Sequence, residues 1–93
     1  MTVTYKEYAE DKKRFFEKHD YAYRVDTSPI NEYGVWFKTY HFENNAVWEE
    51  RMSPEYETAK VEIKKVLVKV EVKMLKTEYW STEEGSKYYY EKF

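Results

Sequence analysis

The chain contains no cysteine and only two glycines and two prolines in 93 residues. The absence of cysteine excludes disulfide frameworks, thiolate zinc sites and cysteine nucleophiles. Two isolated glycines also exclude the glycine-rich loops that hold phosphates in P-loop and dinucleotide-binding proteins. We therefore expect no bound cofactor.

Long apolar segments are also missing. The longest candidate, residues 61–75, is interrupted by Lys64, Lys65, Lys69 and Lys73, so it is not a membrane span. The first residues contain no apolar stretch of the kind that signal peptides carry. The sequence therefore predicts one small cytoplasmic domain, residues 1–93, with no membrane association.

Charged and aromatic residues dominate the composition. Charged residues make up 37% of the chain and aromatic residues 20%, with 11 Tyr, five Phe and three Trp, which is not the composition of a disordered protein. Residues 58–77 hold six Lys and two Glu, whereas residues 1–57 hold eight basic and 12 acidic side chains. A basic stripe thus lies in a chain of net charge −2, and this overall acidity argues against a general nucleic-acid binder.

Hydrophobic periodicity predicts one helix followed by strands. Thr4 and Glu7 form a capping-box pattern at the start of the predicted helix, residues 4–19. We interpret residues 53–55 (Ser-Pro-Glu) as a turn or one short helical turn. Residues 64–65 are interpreted as a bulge or bend, because the apolar positions change register there. The predicted strands cover residues 21–27, 35–42, 46–52, 61–80 with the bend near 64–65, and 87–93.

The separation of the helix from the strands predicts an α+β fold, with an N-terminal helix packed on a curved antiparallel sheet of four to five strands. In the first strand, alternation places Tyr21, Tyr23, Val25 and Thr27 on one side, so we expect that strand to have one buried face. This order of elements resembles the cystatin type of architecture, but the Gln-x-Val-x-Gly segment of the inhibitory cystatins is absent. The resemblance therefore implies an architecture and no function.

The sequence shows no catalytic or metal-binding pattern. His19 and His41 are the only histidines, and neither lies in a motif with a nucleophile and an oxyanion loop. Glu49 and Glu50 are neighbours on a predicted strand, so their side chains point to opposite faces and do not share an acid–base site. No set of ligands has the spacing of a metal site. We therefore predict that the protein is not an enzyme.

A helix of about 16 residues is roughly 24 Å long and covers one face of a sheet, so the other face is left to solvent or a partner. Because Tyr and Trp are enriched at the centres of interfaces, we predict a protein-interaction module that binds another protein of unknown identity. Small inhibitors of host defence or nucleic-acid-processing proteins, encoded by phages or mobile elements (anti-CRISPR proteins among them), have a similar composition. The residues predicted to bind the partner are Trp36, Tyr40, Glu49, Glu50, Lys65, Lys69, Lys73 and Tyr89.

Two alternatives are compatible with the same residues. A single-stranded nucleic-acid-binding domain would stack bases on exposed rings and bind phosphates through Lys65, Lys69, Lys73 and Lys76, although the net acidity makes nucleic acid the less favoured partner. A homodimer would form through residues 88–93 if that strand lies at the edge of the sheet.

Overall fold

The computed structural model describes residues 2–83 and 85–92 and has the predicted α+β architecture. One helix, α1 (Tyr5–Lys18), precedes five strands. The strands are β1 (Arg24–Thr27), β2 (Trp36–His41), β3 (Val47–Ile63), β4 (Val66–Ser81) and β5 (Lys87–Lys92). They form one antiparallel sheet in the order β1-β2-β3-β4-β5. The sheet is open, and β1 and β5 are its edge strands; Phe93, the last residue of the predicted fifth strand, lies outside the described residues.

The helix begins and ends at residues with clear capping geometry. Thr4 Oγ1 accepts a hydrogen bond from the Glu7 backbone N–H at 3.2 Å, as the capping-box pattern predicts. After the helix, Asp20 and Tyr21 have φ angles of 59° and 64°, and the Tyr21 N–H donates to the Phe16 carbonyl at 2.8 Å. This left-handed helix termination uses the first residues of the predicted first strand, and β1 is shorter than predicted for that reason.

The prediction that the first strand has a buried face is wrong. All four residues of β1 are exposed, and Tyr21 and Tyr23, which precede it, are also exposed. The reason is position: β1 pairs with β2 alone, at the edge of the sheet and beyond the area that α1 covers. Alternation in a sequence predicts a strand but does not show whether anything packs on it.

Aromatic side chains form the core between α1 and one face of the sheet. Phe15 of α1 packs on Trp48 with ring centroids 5.4 Å apart, and Tyr8 packs on Tyr79 and Tyr89 at 5.0 and 4.7 Å. Trp48 in turn stacks on Tyr79 at 5.0 Å. Burying a large apolar side chain of this kind stabilises a fold by about 1.5–3 kcal/mol, so these rings contribute to the attachment of α1.

The main difference from the predicted elements is a long β3–β4 hairpin. Residues 53–55 continue β3 instead of forming a turn. β3 accommodates Pro54 because this residue lies beyond Met52, which forms the last pair of β3 with β2, Trp36–Met52. Lys64 and Lys65 form the turn between the two strands, with φ angles of 50° and 66°. The predicted single strand 61–80 is therefore wrong: the change of register near residues 64–65 marks a two-residue hairpin turn.

The outer part of this hairpin projects from the rest of the sheet. β2 pairs with β3 as far as Met52, and β5 pairs with β4 from Met74 onward. Among the described residues, residues 56–73 therefore pair with each other alone, and we call them the arm. The molecule measures 59 × 28 × 18 Å, and its radius of gyration is 16.9 Å, against roughly 12 Å for a compact chain of this length.

Candidate functional site

A buried carboxylate joins α1 to the sheet. Glu50 of β3 is 2% exposed and accepts hydrogen bonds from the Tyr8 hydroxyl and, at 3.2 Å, from Trp48 Nε1. Lys12 Nζ lies 3.3 Å from Glu50 Oε2 and donates to the Tyr40 hydroxyl at 3.3 Å. Burial, followed by the charge and the hydrogen bond of Glu50, raises the pKa of Tyr8 far above its usual value. Tyr8 is therefore a permanent hydroxyl donor at physiological pH.

A second carboxylate of the same interface, Asp11 of α1, is held by three donors. Its Oδ2 accepts hydrogen bonds from the Tyr79 hydroxyl at 2.9 Å and from Lys87 Nζ at 2.8 Å, and its Oδ1 accepts one from Arg14 at 3.0 Å. Burial by itself would raise the pKa of Asp11, but the hydrogen bonds from Lys87, Tyr79 and Arg14 outweigh it and lower that pKa. Asp11 is therefore ionised, and it links α1 to β4 and β5.

These two clusters have the geometry of structural links rather than of a reaction site. A general acid or base needs an open position from which it can reach a substrate, and the groups that bind Glu50 and Asp11 already surround them. In the described part of the chain no buried side-chain nitrogen or oxygen lacks a hydrogen-bond partner. Within those same residues, no group of three or more His, Cys, Asp and Glu side chains is placed to hold a metal ion.

Three of the predicted partner-binding residues lie in the core. Tyr40, Glu50 and Tyr89 are 8%, 2% and 6% exposed, and a partner does not reach them while α1 is in place. Their positions on the sheet point their side chains toward α1, which the sequence alone did not reveal. We therefore correct their assignment from binding residues to core residues.

Trp36 and Glu49, two further predicted binding residues, lie half-buried on opposite faces of the sheet. Trp36 shares the face of α1, whereas Glu49 is paired with Trp80 on the face that α1 does not cover. On this helix-free face Phe37 contacts Trp80 at a centroid distance of 6.4 Å. The helix-free face thus combines rings with charged side chains, and the structure does not bring Trp36 and Glu49 together.

The three predicted lysines all belong to the arm. Lys65 lies in the turn at its tip, and Lys69 and Lys73 lie on the face of the arm that continues the helix-covered side of the sheet. On that face Lys60 is paired directly with Lys69, and Tyr56 with Lys73. The basic stripe of the sequence is therefore the charged face of the arm.

The other face of the arm carries aliphatic residues that sequence analysis did not identify as a site. They form three directly opposed pairs, which we call the apolar stripe: Ala59–Val70, Val61–Val68 and Ile63–Val66. Val61, Ile63 and Val66 are 44%, 51% and 60% exposed. The sequence contained a signal for this apolar face. If Lys64 and Lys65 form a hairpin turn, the odd-numbered residues before Lys64 and the even-numbered residues after Lys65 lie on the same face of the hairpin.

Comparison of the chain with protein-family models, with curated proteins and with solved structures gives no match. Within residues 2–83 and 85–92, no helix has both the length and the apolar character that crossing a membrane requires. The functional argument therefore depends on the geometry and chemistry of the arm.

Proposed function

We propose that this chain is a non-enzymatic protein-interaction module that binds protein partners through the apolar stripe of the arm. The observation that carries the proposal is the exposure of five aliphatic side chains in adjoining rows on one face: Val61, Ile63, Val66, Val68 and Val70. Contiguous exposed apolar surface on a small protein marks a site of interaction more often than it marks plain solvent-facing surface.

The architecture of the arm supports the same conclusion. A two-stranded hairpin without a third strand or a covering helix is only marginally stable in water, and among the described residues no third strand pairs with residues 56–73. A partner on the apolar stripe supplies the missing layer. Each half-exposed aliphatic side chain that it covers contributes on the order of 1 kcal/mol.

The opposite face of the arm differs in chemistry from the apolar stripe, which supports the proposal. Lys60, Lys69 and Lys73 are exposed there together with Glu62 and Glu71. A strand pair with one charged face and one aliphatic face is the pattern of a sheet that is wet on one side and packed on the other. The arm has this pattern, and the side chains of Val61, Ile63 and Val66 on its aliphatic face are exposed.

Our specific proposal is an inhibitor, encoded by a phage or a mobile element, that acts in the cytoplasm on a host defence or nucleic-acid-processing protein. Its support is compositional: a small, cysteine-free chain rich in Tyr, Lys and Glu. An extended arm suits an inhibitor because it occupies a surface of a larger target without any chemistry of its own. The helix-free face, with Phe37 and Trp80, offers a second area for such a target.

Cross-linked affinity capture from the native source tests the proposal. The wild type is compared with Val61→Lys, in the apolar stripe, and with a matched control, Leu67→Lys, which makes the same chemical change at an exposed residue on the opposite face. We expect the wild type and the control to retain the same proteins, identified by mass spectrometry, and the Val61→Lys variant to lose them. Identical sets from all three proteins would contradict a binding role for the apolar stripe.

Single-stranded nucleic acid is the second candidate, and the charged face of the arm is the observation that favours it. Lys73 is directly opposite the exposed Tyr56, and the Lys60–Lys69 pair lies four residues farther along the same face. This resembles a small stacking surface beside phosphate-binding lysines. Four phosphate contacts, counting Lys65, would give a log–log salt slope of about −3 at roughly 0.7 per contact. The absence of any shift of a labelled oligonucleotide at low salt would exclude this candidate.

A further inference from the structure

A cavity of about 480 Å³ opens at the C-terminal end of α1. Residues 18–23, where the chain leaves the helix and turns toward β1, line it together with residues 43–44 of the turn between β2 and β3. We call it the end cavity. β3 begins next to that turn and ends at the tip of the arm, so the end cavity and the apolar stripe lie at opposite ends of the sheet. A volume of this size is typical of sites that bind small ligands.

Two carboxylates give the end cavity a negative charge. Asp20 and Glu43 line it and are exposed, and within the described part of the chain neither is paired with a cation. Lys18 also lines the cavity, but its Nζ lies 2.9 Å from Glu83 Oε2, which balances its charge. The C-terminal end of a helix carries a partial negative charge, so the end of α1 adds to the attraction for a cation.

The histidine of the end cavity belongs to its fixed wall. The His19 side chain is 8% exposed, its Nε2 lies 3.1 Å from Glu83 Oε1, and its Nδ1 contacts Asn44 Nδ2. The amide of Asn44 is oriented in turn, because its Oδ1 accepts a hydrogen bond from the Ala46 backbone N–H at 3.2 Å. Both ring nitrogens of His19 are thus engaged within the protein, and the carboxylates are left to meet a ligand.

Two aromatic rings complete the end cavity. Tyr21 and Tyr23 line it and are 60% and 62% exposed. The face of an aromatic ring attracts a cation placed within about 6 Å of its centre. A guanidinium is planar, stacks on such rings and offers a fork of N–H donors to carboxylates, whereas an ammonium is compact and strongly hydrated. Rings beside two carboxylates therefore fit a guanidinium better than an ammonium.

We propose that the end cavity binds the guanidinium group of an arginine side chain that a partner protein presents. The guanidinium donates hydrogen bonds to the carboxylates of Asp20 and Glu43, and its planar face contacts the tyrosine rings. The cavity is open and its rings and carboxylates are exposed, so a side chain that projects from another protein can enter it. This site differs in place and in chemistry from the apolar stripe, and the inference goes beyond the proposed function.

An NMR titration of the isotopically labelled full chain tests the inference, with the capped peptide acetyl-Ala-Arg-Ala-amide as the probe. Concentrations up to about 50 mM are needed, because the contacts of one side chain give about millimolar affinity. Two matched probes carry citrulline or lysine in place of arginine. We expect amide shifts centred on residues 18–23 and 43–44, a dissociation constant at least ten-fold lower for the arginine peptide than for the citrulline peptide, and weaker binding of the lysine peptide.

Variants of the end cavity show whether its own side chains bind the probe. Asp20→Asn with Glu43→Gln removes both charges, and Asn tolerates the φ angle of 59° at position 20. We expect this variant to raise the dissociation constant at least ten-fold. The matched control, Glu10→Gln with Glu32→Gln, removes two exposed carboxylates outside the cavity and should leave it unchanged. Tyr23→Leu should raise it about three-fold, through the loss of one exposed cation–π contact.

Three results would overturn the inference: no shifts around the end cavity at the highest concentration, equal binding of the citrulline peptide, or a charge-removed variant that binds as tightly as its control. Equal affinity for the arginine and lysine peptides would overturn the assignment to a guanidinium. The spectrum of each free variant establishes that it is folded. None of these results bears on the proposed function, because the comparison of Val61→Lys with Leu67→Lys does not involve the end cavity.

Discussion

Glu50 shows how much of this fold depends on single side chains in its core. Its carboxylate accepts hydrogen bonds from Tyr8 and Trp48 and lies 3.3 Å from Lys12 Nζ. A buried carboxylate is costly unless donors satisfy it. The adjacent Glu49 points to the opposite face of the sheet, so two identical neighbours have unrelated roles.

We expect Tyr8→Phe to destabilise the fold by about 1–3 kcal/mol, because Glu50 loses a buried donor while the ring stays in place. The measurement is urea unfolding at pH 7. The control is Tyr5→Phe, since Tyr5 is an exposed tyrosine of the same helix. Equal stability of Tyr8→Phe and the control would show that the donor to Glu50 contributes little.

Asp11 makes stability depend on acid. Hydrogen bonds from Lys87, Tyr79 and Arg14 lower its pKa from the ordinary 3.8, so the folded state binds the proton less readily than the unfolded state does. Its contribution is therefore present above pH 3.8 and is lost as the pH falls through the lower folded-state value.

The test for Asp11 is the pH dependence of the free energy of unfolding for the wild type and for Asp11→Asn. Between about pH 4 and about pH 2, we expect the free energy of unfolding of the wild type to fall more steeply than that of the variant. The variant has no carboxylate to protonate at this position. Parallel curves would mean that Asp11 does not carry this acid sensitivity.

At the scale of elements, the sequence predicted the features that depend on local residue patterns and missed the features that depend on pairing with another strand. The helix and its Thr4 cap are confirmed because capping is local. Pro54 and the Lys64–Lys65 turn were misassigned, because a proline beyond the last β2 pair and a turn without Asn or Gly both depart from the usual signals. The aliphatic residues were visible, but their shared face follows only from the hairpin register.

The turn offers a direct test of the hairpin. Replacing Lys64 with Asn and Lys65 with Gly should stabilise the arm by about 1–2 kcal/mol, because both residues have positive φ angles that favour Asn and Gly. The measurement is amide hydrogen exchange in β3 and β4 near the tip, compared at equal protein concentration. Faster exchange at the tip of the variant would contradict the hairpin turn.

The arm should also be separable from the body. Residues of the aromatic core all lie outside residues 56–73, so replacing residues 58–71 with Asn-Gly should leave the core folded. The new turn joins Glu57 to Val72, which are directly opposed in the sheet. Because opposed pairs alternate between hydrogen-bonded and non-hydrogen-bonded types, this pair is of the same type as Ile63–Val66, the pair that the natural turn joins. We expect near-UV circular dichroism to be retained and the unfolding free energy to change by less than about 1–2 kcal/mol. Loss of cooperative unfolding would show that the arm supports the core.

At the scale of the whole molecule, the fold consists of a compact aromatic body and a projecting arm with different charge. The arm carries five Lys and three Glu, whereas the complete chain has a net charge of −2. The sequence predicted the fold class and the basic stripe. Some of the residues predicted to bind a partner lie in the core instead, because composition does not show which rings α1 covers. Among the described residues, the aliphatic face of the arm is exposed at Val61, Ile63 and Val66.

Amide hydrogen exchange of the arm with and without the captured partner protein tests the central claim most directly. If a partner covers the apolar stripe, protection of residues 57–71 should rise when the partner is added, while protection of the core strands stays constant. Protection of the arm that is the same with and without the partner would contradict the claim.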